Sequence, residues 1–496
     1  MVFFSALVAV LFLGEGDERG GIPGWMEHNN PKTTVSQAMD ILSTVRERHA
    51  ETYDLHKRYI NPQFVRVLEV IGFNRNYVSS KGSRLIDAEG REVLDFLAGF
   101  GVFNIGRNHP LVAQVLHQML DSDPANMVQM DLGGISGMLA ETLAKITPGD
   151  LDAVFFTNSG AESVEGALKF ARQATRRHKV VHCHHAFHGL TLGALSVNGN
   201  REFREFNEPL LPGCIQVPFN DLDALERALS SGDVAAFIVE PIQGKGVFVP
   251  DDDYLPGARR LCDQYGTLLI ADEVQTGFGR TGKMFAVDHW DVVPDIMAVS
   301  KALSGGFVPI GAVITKRSIH SKIFDSMERC FAHSNTFGQN DLAMAAGLAT
   351  IEVLQSENLV AQSAEIGDYI IAGLQEKAQR YEMLHEIRGK GLMVGMQFGE
   401  PGSLALKTGW KLVHKMNADL FGQMITMPLM EKHNILTQVA GHGLDTVKIL
   451  PPLVIGRKEA DMFLDAMEAV LHDVHRFPGA AWTTTKNLAV RTLKSS

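Results

Sequence analysis

Thr267-Leu-Leu-Ile-Ala-Asp-Glu273 and Asp295-Ile-Met-Ala-Val-Ser-Lys301 decide how this chain is read. Each holds a short, almost wholly apolar run of β type. The first closes on the acids Asp272 and Glu273, the second on Lys301 followed by Ala-Leu-Ser-Gly-Gly. An uninterrupted apolar run of about five residues marks a strand buried on both faces, which implies a parallel sheet. In open α/β sheets, ligands lie in the crevice beyond the carboxyl ends of the strands. One carboxylate and one amine are therefore expected on the same rim, on neighbouring or near-neighbouring strands.

Outward from these runs, helices and strands alternate. Strands are expected at Ala153–Thr157, Val180–Cys183, Ile215–Pro218, Ala235–Glu240 and Gly311–Ile314, with helices at Leu111–Leu120, Ile135–Lys145, Ala161–Thr175 and Asn340–Leu354. That alternation predicts a mostly parallel sheet covered on both faces, an α/β class. Upstream, Asn76–Ser80, Ser83–Asp87 and Glu92–Phe96 read as a meander with a turn at Asp87-Ala-Glu-Gly90, and Asn61-Pro62-Gln-Phe-Val reads as an extended or turn segment. Val35–Thr52 has helical spacing. Beyond Gln355 an α+β region follows, with a helix at Val360–Arg380, strand-like runs at Gly391–Phe398 and Thr446–Leu450, and a final helix at Glu459–His475. The expected domains are a large α/β domain over 111–355 and a smaller α+β domain built from 1–110 and 356–496.

A chain of 496 residues exceeds what one core usually supports, and 45% hydrophobic with 21% charged residues is the balance of a globular enzyme. A formal net charge of -11 argues against nucleic acid or an anionic membrane as partner. The four cysteines form no CxxC pair, which fits reduced thiols in the cytoplasm. Met1–Leu13 is apolar but too short to span a bilayer, and it lacks the basic start of a signal peptide. Met26 is an alternative start.

Several motifs carry chemistry. Lys301 and Asp272 supply what pyridoxal phosphate requires: an amine for the Schiff base and an acid to keep the pyridine nitrogen protonated. Ser159-Gly160-Ala161 opens a helix after a strand, where free N–H groups and the dipole favour a phosphate. Ser159 with Glu162 equally fits a capping box, and the Glu162 charge opposes phosphate unless it turns away. In His182-Cys-His-His-Ala-Phe-His188 the ligand-type side chains diverge along a strand, so no metal is expected. Phe187, beside His188, is better explained as an aromatic plate on a flat ring. Glu240 ends another strand on the same rim. Gly277-Phe-Gly-Arg-Thr-Gly282 matches GxGxxG in letters, but it neither follows a strand at once nor opens a helix, so nicotinamide binding is the minor reading. Thr336, in the polar loop His333–Asn340, offers a hydroxyl to an anion.

Together these residues resemble the class III (ω-amino acid) aminotransferases, fold type I of the pyridoxal-phosphate enzymes, and within them the ornithine and putrescine branch. The likeness spans roughly residues 75 to 475. It implies that Lys301 forms the Schiff base, Asp272 pairs with the ring nitrogen and Gln275 reaches the ring hydroxyl. It also implies that Val274 and Phe187 sandwich the ring, with His188 and Glu240 beside it. Ser159, Gly160 and Ala161 would hold the phosphate, joined by Thr336 of a neighbouring subunit in an obligatory homodimer. Departures bear on substrate: Leu190 and Lys448 stand where the ornithine branch has Arg, and Phe100 where it has Tyr. An arginine fork grips a carboxylate through two parallel bonds, which lysine does not reproduce. The expected donor is therefore a diamine or apolar primary amine, with glutamate/2-oxoglutarate or pyruvate as the other pair. Phe100, Leu190, Glu240 and Lys448 are the expected substrate contacts. An aminomutase, racemase or decarboxylase would use the same Lys301 and Asp272; an oxidoreductase and a non-catalytic binding protein are the readings from other classes.

Overall fold

The computed structural model describes residues 40–417, 420–479 and 482. Met1–Leu13, Met26 and the first part of the helix expected from Val35 lie outside the described residues. The chain divides into one unit up to Thr52 and a second from Tyr53 onward. In the first, the helix Ile41–Arg48 is capped by Asp40, whose carboxylate accepts from the Ser43 amide at 3.0 Å. The second unit holds every expected site residue.

Past the extended N-cap Asn61, the run 62–65 is neither extended nor a turn. It opens the helix Pro62–Ile71, with the Asn61 side chain accepting from the Phe64 amide at 3.0 Å. Pro62 sits in the first turn, where a missing N–H costs nothing because no intrahelical partner exists there. The meander follows as expected: β1 (Tyr77–Lys81), β2 (Arg84–Asp87) and β3 (Glu92–Asp95) pair antiparallel in turn.

The large sheet is built from β4 (Leu151–Thr157), β5 (Lys179–Cys183), β6 (Cys214–Val217), β7 (Val234–Val239), β8 (Leu268–Asp272), β9 (Ile296–Val299) and β10 (Gly311–Lys316). Its seven strands run in the order β4-β10-β9-β8-β7-β5-β6. β10 is antiparallel to both neighbours, and the pairings from β9 through β6 are all parallel. Every residue of β7 and of β9 is buried, the expected state of an apolar run covered on both faces. The α/β class expected from the sequence is present: a mostly parallel sheet accompanied by antiparallel sheets.

Register fixes the rim. Val239 lies opposite Ala271, and Asp272 opposite Ala298. Glu240, Asp272 and Lys301 therefore leave three adjacent strands, β7, β8 and β9, at the same end.

A second antiparallel sheet combines β11 (Leu384–Lys390), β12 (Met393–Phe398), β14 (Gln438–Val439) and β15 (Thr446–Ile449), while β13 (Ile435–Leu436) adds parallel to β3. The Gly277–Gly282 loop joins these parts. Its Arg280 is fully buried and donates to the carbonyls of Leu392 and Pro451 and to the Asn104 side chain. The glycines let this loop pack tightly: a Cβ at Gly282 would lie 2.9 Å from Ala364 Cβ, and its φ is +85°. No helix among the described residues is long and apolar enough to cross a membrane.

Candidate active site

Beyond the rim lies a cavity of about 560 Å³. Lys301 enters it from a left-handed backbone position, φ 39°, immediately after the extended Ser300. Non-glycine residues avoid that region at a cost of roughly 1–2 kcal/mol, and such strain gathers at functional sites. Ser300 is held by donating its hydroxyl to Ile310 O at 2.6 Å. Removal from water lowers the Lys301 amine below the ordinary lysine value, while Asp272 and Glu240 act to raise it.

Asp272 is buried at the end of β8. One of its oxygens accepts from the Val274 amide at 3.0 Å, and the other lies 2.7 Å from His188 Nδ1. A carboxylate only accepts, so Nδ1 carries the proton in that bond. The other ring nitrogen, His188 Nε2, is buried without a hydrogen-bond partner among the described residues. The His188 amide is fixed in turn by Asn198 Oδ1 at 2.6 Å.

Glu240 accepts from the Phe187 amide at 2.9 Å and from the Gly244 amide at 2.7 Å. Burial raises its carboxyl above the usual range, and the proximity of Asp272 adds to this while His188 opposes it. Lys448 is buried on the same wall. Its ammonium donates to Gly244 O at 2.7 Å and stands 3.5 Å from Gln275 Oε1. Burial first, and Lys301 second, bring its pKa down to about 7.

The helix Gly160–Thr175 points its first turn into the cavity through Gly160 and Ala161. First-turn amides have no acceptor within their own helix. Ser159 stands behind them as N-cap, accepting from the Glu162 amide at 3.2 Å. Glu162 turns back to the Asn158 amide at 2.8 Å, so its charge faces the residue before the cap. Gly160 is forced by packing: a Cβ there would fall 2.7 Å from Val274 Cγ1.

Phe187, His188, Val274 and Gln275 all line the cavity, as do Phe100 and Leu190 at its mouth. Gln275 donates to Phe100 O at 3.0 Å, and Phe100 occupies a left-handed φ of 63° in a loop anchored by Asp95. Of the expected residues, Ser159 and Thr336 do not line it. Thr336 lies in an exposed stretch, its carbonyl 3.5 Å from Gln129 Nε2. Sequence reading missed Phe203, Lys245 and the strand-to-loop run Gln438–Gly441, which complete the wall. Only the paired glycines around Lys245 hinted at a backbone close to the site. The Gly277–Gly282 loop contributes nothing to the lining.

This fold and rim define the architecture of an amino-group-transfer enzyme family. The chain belongs to the class-III aminotransferases, whose family model matches residues 69–471. It is 35% identical over 460 residues to the aminotransferase PigE of Serratia sp. (strain ATCC 39006), covering 86% of this chain but 54% of that protein, so it spans about half the relative's length. Among solved structures, it resembles the ornithine aminotransferase of Toxoplasma gondii (TM-score 0.72, 30% identity, 80% of this chain and 90% of that one). It also resembles an (S)-enantioselective ω-transaminase of Thermomicrobium roseum (TM-score 0.73, 28% identity, 89% and 100%).

Proposed function

We propose that this chain binds pyridoxal 5'-phosphate and transfers an amino group between a primary amine or ω-amino acid and a 2-oxo acid. The observation that carries this reading is the convergence of Lys301 and the His188-supported Asp272 in one cavity. The residues fit the cofactor. Asp272 keeps lone pairs free for a ring N–H, Phe187 and Val274 both face the cavity, and the first-turn amides of Gly160 and Ala161 suit a phosphate. The unpartnered His188 Nε2 marks the same region as built for a polar guest.

When bound, the cofactor supplies an aldehyde that captures an amine and a ring that takes up the electron pair left by deprotonation. Asp272 would hold a proton on the ring nitrogen, and His188 fixes the Asp272 carboxylate through its 2.7 Å bond. Lys301, whose amine is lowered by removal from water, is the group placed to accept the proton from the amine-bearing carbon and to return it. One cavity serves both half-reactions, so the product of the first leaves before the second substrate enters, a ping-pong order.

The donor is a diamine or an apolar primary amine. Phe100, Leu190, Phe203 and Val439 give the wall an apolar character, and no arginine among the described residues lines it. The acceptor is 2-oxoglutarate or pyruvate. Loss of the cofactor's absorbance on addition of each amine tests the reading. Diamines or apolar amines should bleach it fastest, whereas ornithine or acetylornithine as the best donor would refute the donor class. No bleaching by any amine would refute the function itself.

The working unit is a homodimer. Thr336 sits off its own chain's cavity, and beside Gln129, which approaches it, Met130 and Leu132 are 81% and 93% exposed. Such apolar side chains fit an interface better than water.

A further inference from the structure

An amide side chain faces its neighbours in one of two orientations that exchange oxygen and nitrogen, and its partners decide between them. Gln275 carries that choice on the wall of the cavity. The amino-transfer reading expects it to offer an N–H to the cofactor's ring oxygen. An amide turned the other way would set oxygen against oxygen.

The two neighbours of Gln275 are of opposite kind. Nε2 donates to Phe100 O at 3.0 Å, and a carbonyl only accepts. Oε1 faces the Lys448 ammonium at 3.5 Å, and an ammonium only donates. Turning the amide would point its oxygen at the carbonyl and its N–H at the ammonium. As it stands, Phe100 O takes one of the two N–H groups on Nε2 and leaves the other for a guest.

Both neighbours are themselves held. Asp95 accepts from the Leu97 and Ala98 amides at 3.0 and 2.8 Å, anchoring the run 98–101, four successive residues of left-handed φ. Lys448 lies on β15, between β12 and β14, opposite Gly395 on one side and Gln438 on the other. It is 4% exposed, and its ammonium donates to Gly244 O at 2.7 Å. Gly244 has no room for a side chain: a Cβ would fall 2.6 Å from Gln275 Oε1 and 3.1 Å from Glu240 Oε2. Bare backbone at that point lets the amide oxygen and the ammonium meet over one peptide.

We propose that Lys448 is a positioning residue for amino transfer: it holds Gln275 in the orientation that offers an N–H to the cofactor's ring oxygen. A lysine is a point donor, suited to one carbonyl and one amide oxygen, where an arginine fork suits a carboxylate. The residue expected to touch substrate thus serves the cofactor instead. The inference rests on the amino-transfer reading and deepens it.

The test uses the holoenzyme with Lys448→Met, Lys448→Arg, Gln275→Leu and the double variant Lys448→Met with Gln275→Leu. Each is titrated with pH while the bound cofactor's visible absorbance is followed, and KM and kcat are measured with donor and acceptor. A donated hydrogen bond favours negative charge on the ring oxygen, most of all once the adjacent Schiff base has lost its proton. Its loss in Gln275→Leu should therefore raise the midpoint of the absorbance change by about one pH unit. Lys448→Met should reproduce most of that rise, and Lys448→Arg, which keeps N–H donors, should recover most of it. Lys301, Glu240, Lys245 and Arg280 surround Lys448, so its charge also acts directly on the site. The double variant separates the two effects: it should rise no further than Gln275→Leu alone. The inference falls if Lys448→Met leaves the midpoint unmoved, or moves it equally with and without Gln275. A rise in acceptor KM alone, with the absorbance unmoved, would make Lys448 a substrate contact and overturn it as well. Wild-type protein that takes up no pyridoxal phosphate would instead strike the function proposed above.

Discussion

Lys448 keeps a charged-type side chain almost out of contact with water, and that has a measurable signature. Burial lowers its amine from the ordinary 10.5 to about 7, with the neighbouring Lys301 adding to the effect. An unfolded chain would keep the ordinary value, so between about pH 10.5 and 7 the unfolded state binds a proton that the folded state refuses. Stability contributed by this group is thus highest above the unfolded value and declines as pH falls, becoming flat below about 7. Thermal melts of wild type and Lys448→Met across pH 6–10 should show the variant gaining on wild type as pH drops toward 7, then a constant gap. A variant that instead lost ground to wild type as pH dropped toward 7 would contradict this placement of the amine. Residues such as Asp272, Glu240 and Lys301 are legible in sequence because each closes a buried apolar run, and strand register does the rest. Lys245 and Phe203 are not, because they sit in a turn and a short helix with no periodic signal, brought to the wall only by topology.

At the level of elements, the helix Gly160–Thr175 matters most, since its first turn meets both Val274 and the cavity. A methyl added at Gly160 would fall 2.7 Å from Val274 Cγ1, so one of the two must yield. Overpacking of this kind costs about 1–3 kcal/mol, and here it displaces a residue expected against the cofactor ring. Gly160→Ala should weaken pyridoxal-phosphate binding about tenfold or more, read from absorbance titration of the apoprotein. An unchanged Kd would show that this turn is not part of the cofactor's seat. The strands are readable because parallel, two-sided burial leaves an unbroken apolar run, as in Ile296–Val299, buried at every residue. The helix Pro62–Ile71 was misread because Asn-Pro signals a turn as readily as a capped helix start. Pro62 in the first turn and Asn61 as cap decide it, and periodicity downstream was the signal to weigh.

Across the whole second unit, Arg280 is the tie between the loop after β8, the segment carrying Asn104 and the C-terminal sheet. Burial lowers its guanidinium to about 9, yet its bonds to Leu392 O, Pro451 O and Asn104 leave it well engaged. Arg280→Ala would strand two buried carbonyls, each worth about 1–3 kcal/mol, so urea unfolding should show a loss of roughly 3 kcal/mol or more. A loss below about 1 kcal/mol would mean the clasp is not structural. The same loop explains why a GxGxxG spelling misleads: its glycines serve close packing around a buried arginine, not a dinucleotide. What unites the molecule is a lysine and an aspartate delivered to one rim by adjacent parallel strands. Borohydride reduction of the holoprotein followed by peptide mapping tests that most directly, because Lys245 and Lys448 share the cavity with Lys301. The account predicts a single pyridoxyl-modified peptide containing Lys301; modification of either other lysine instead, or of none, would contradict it.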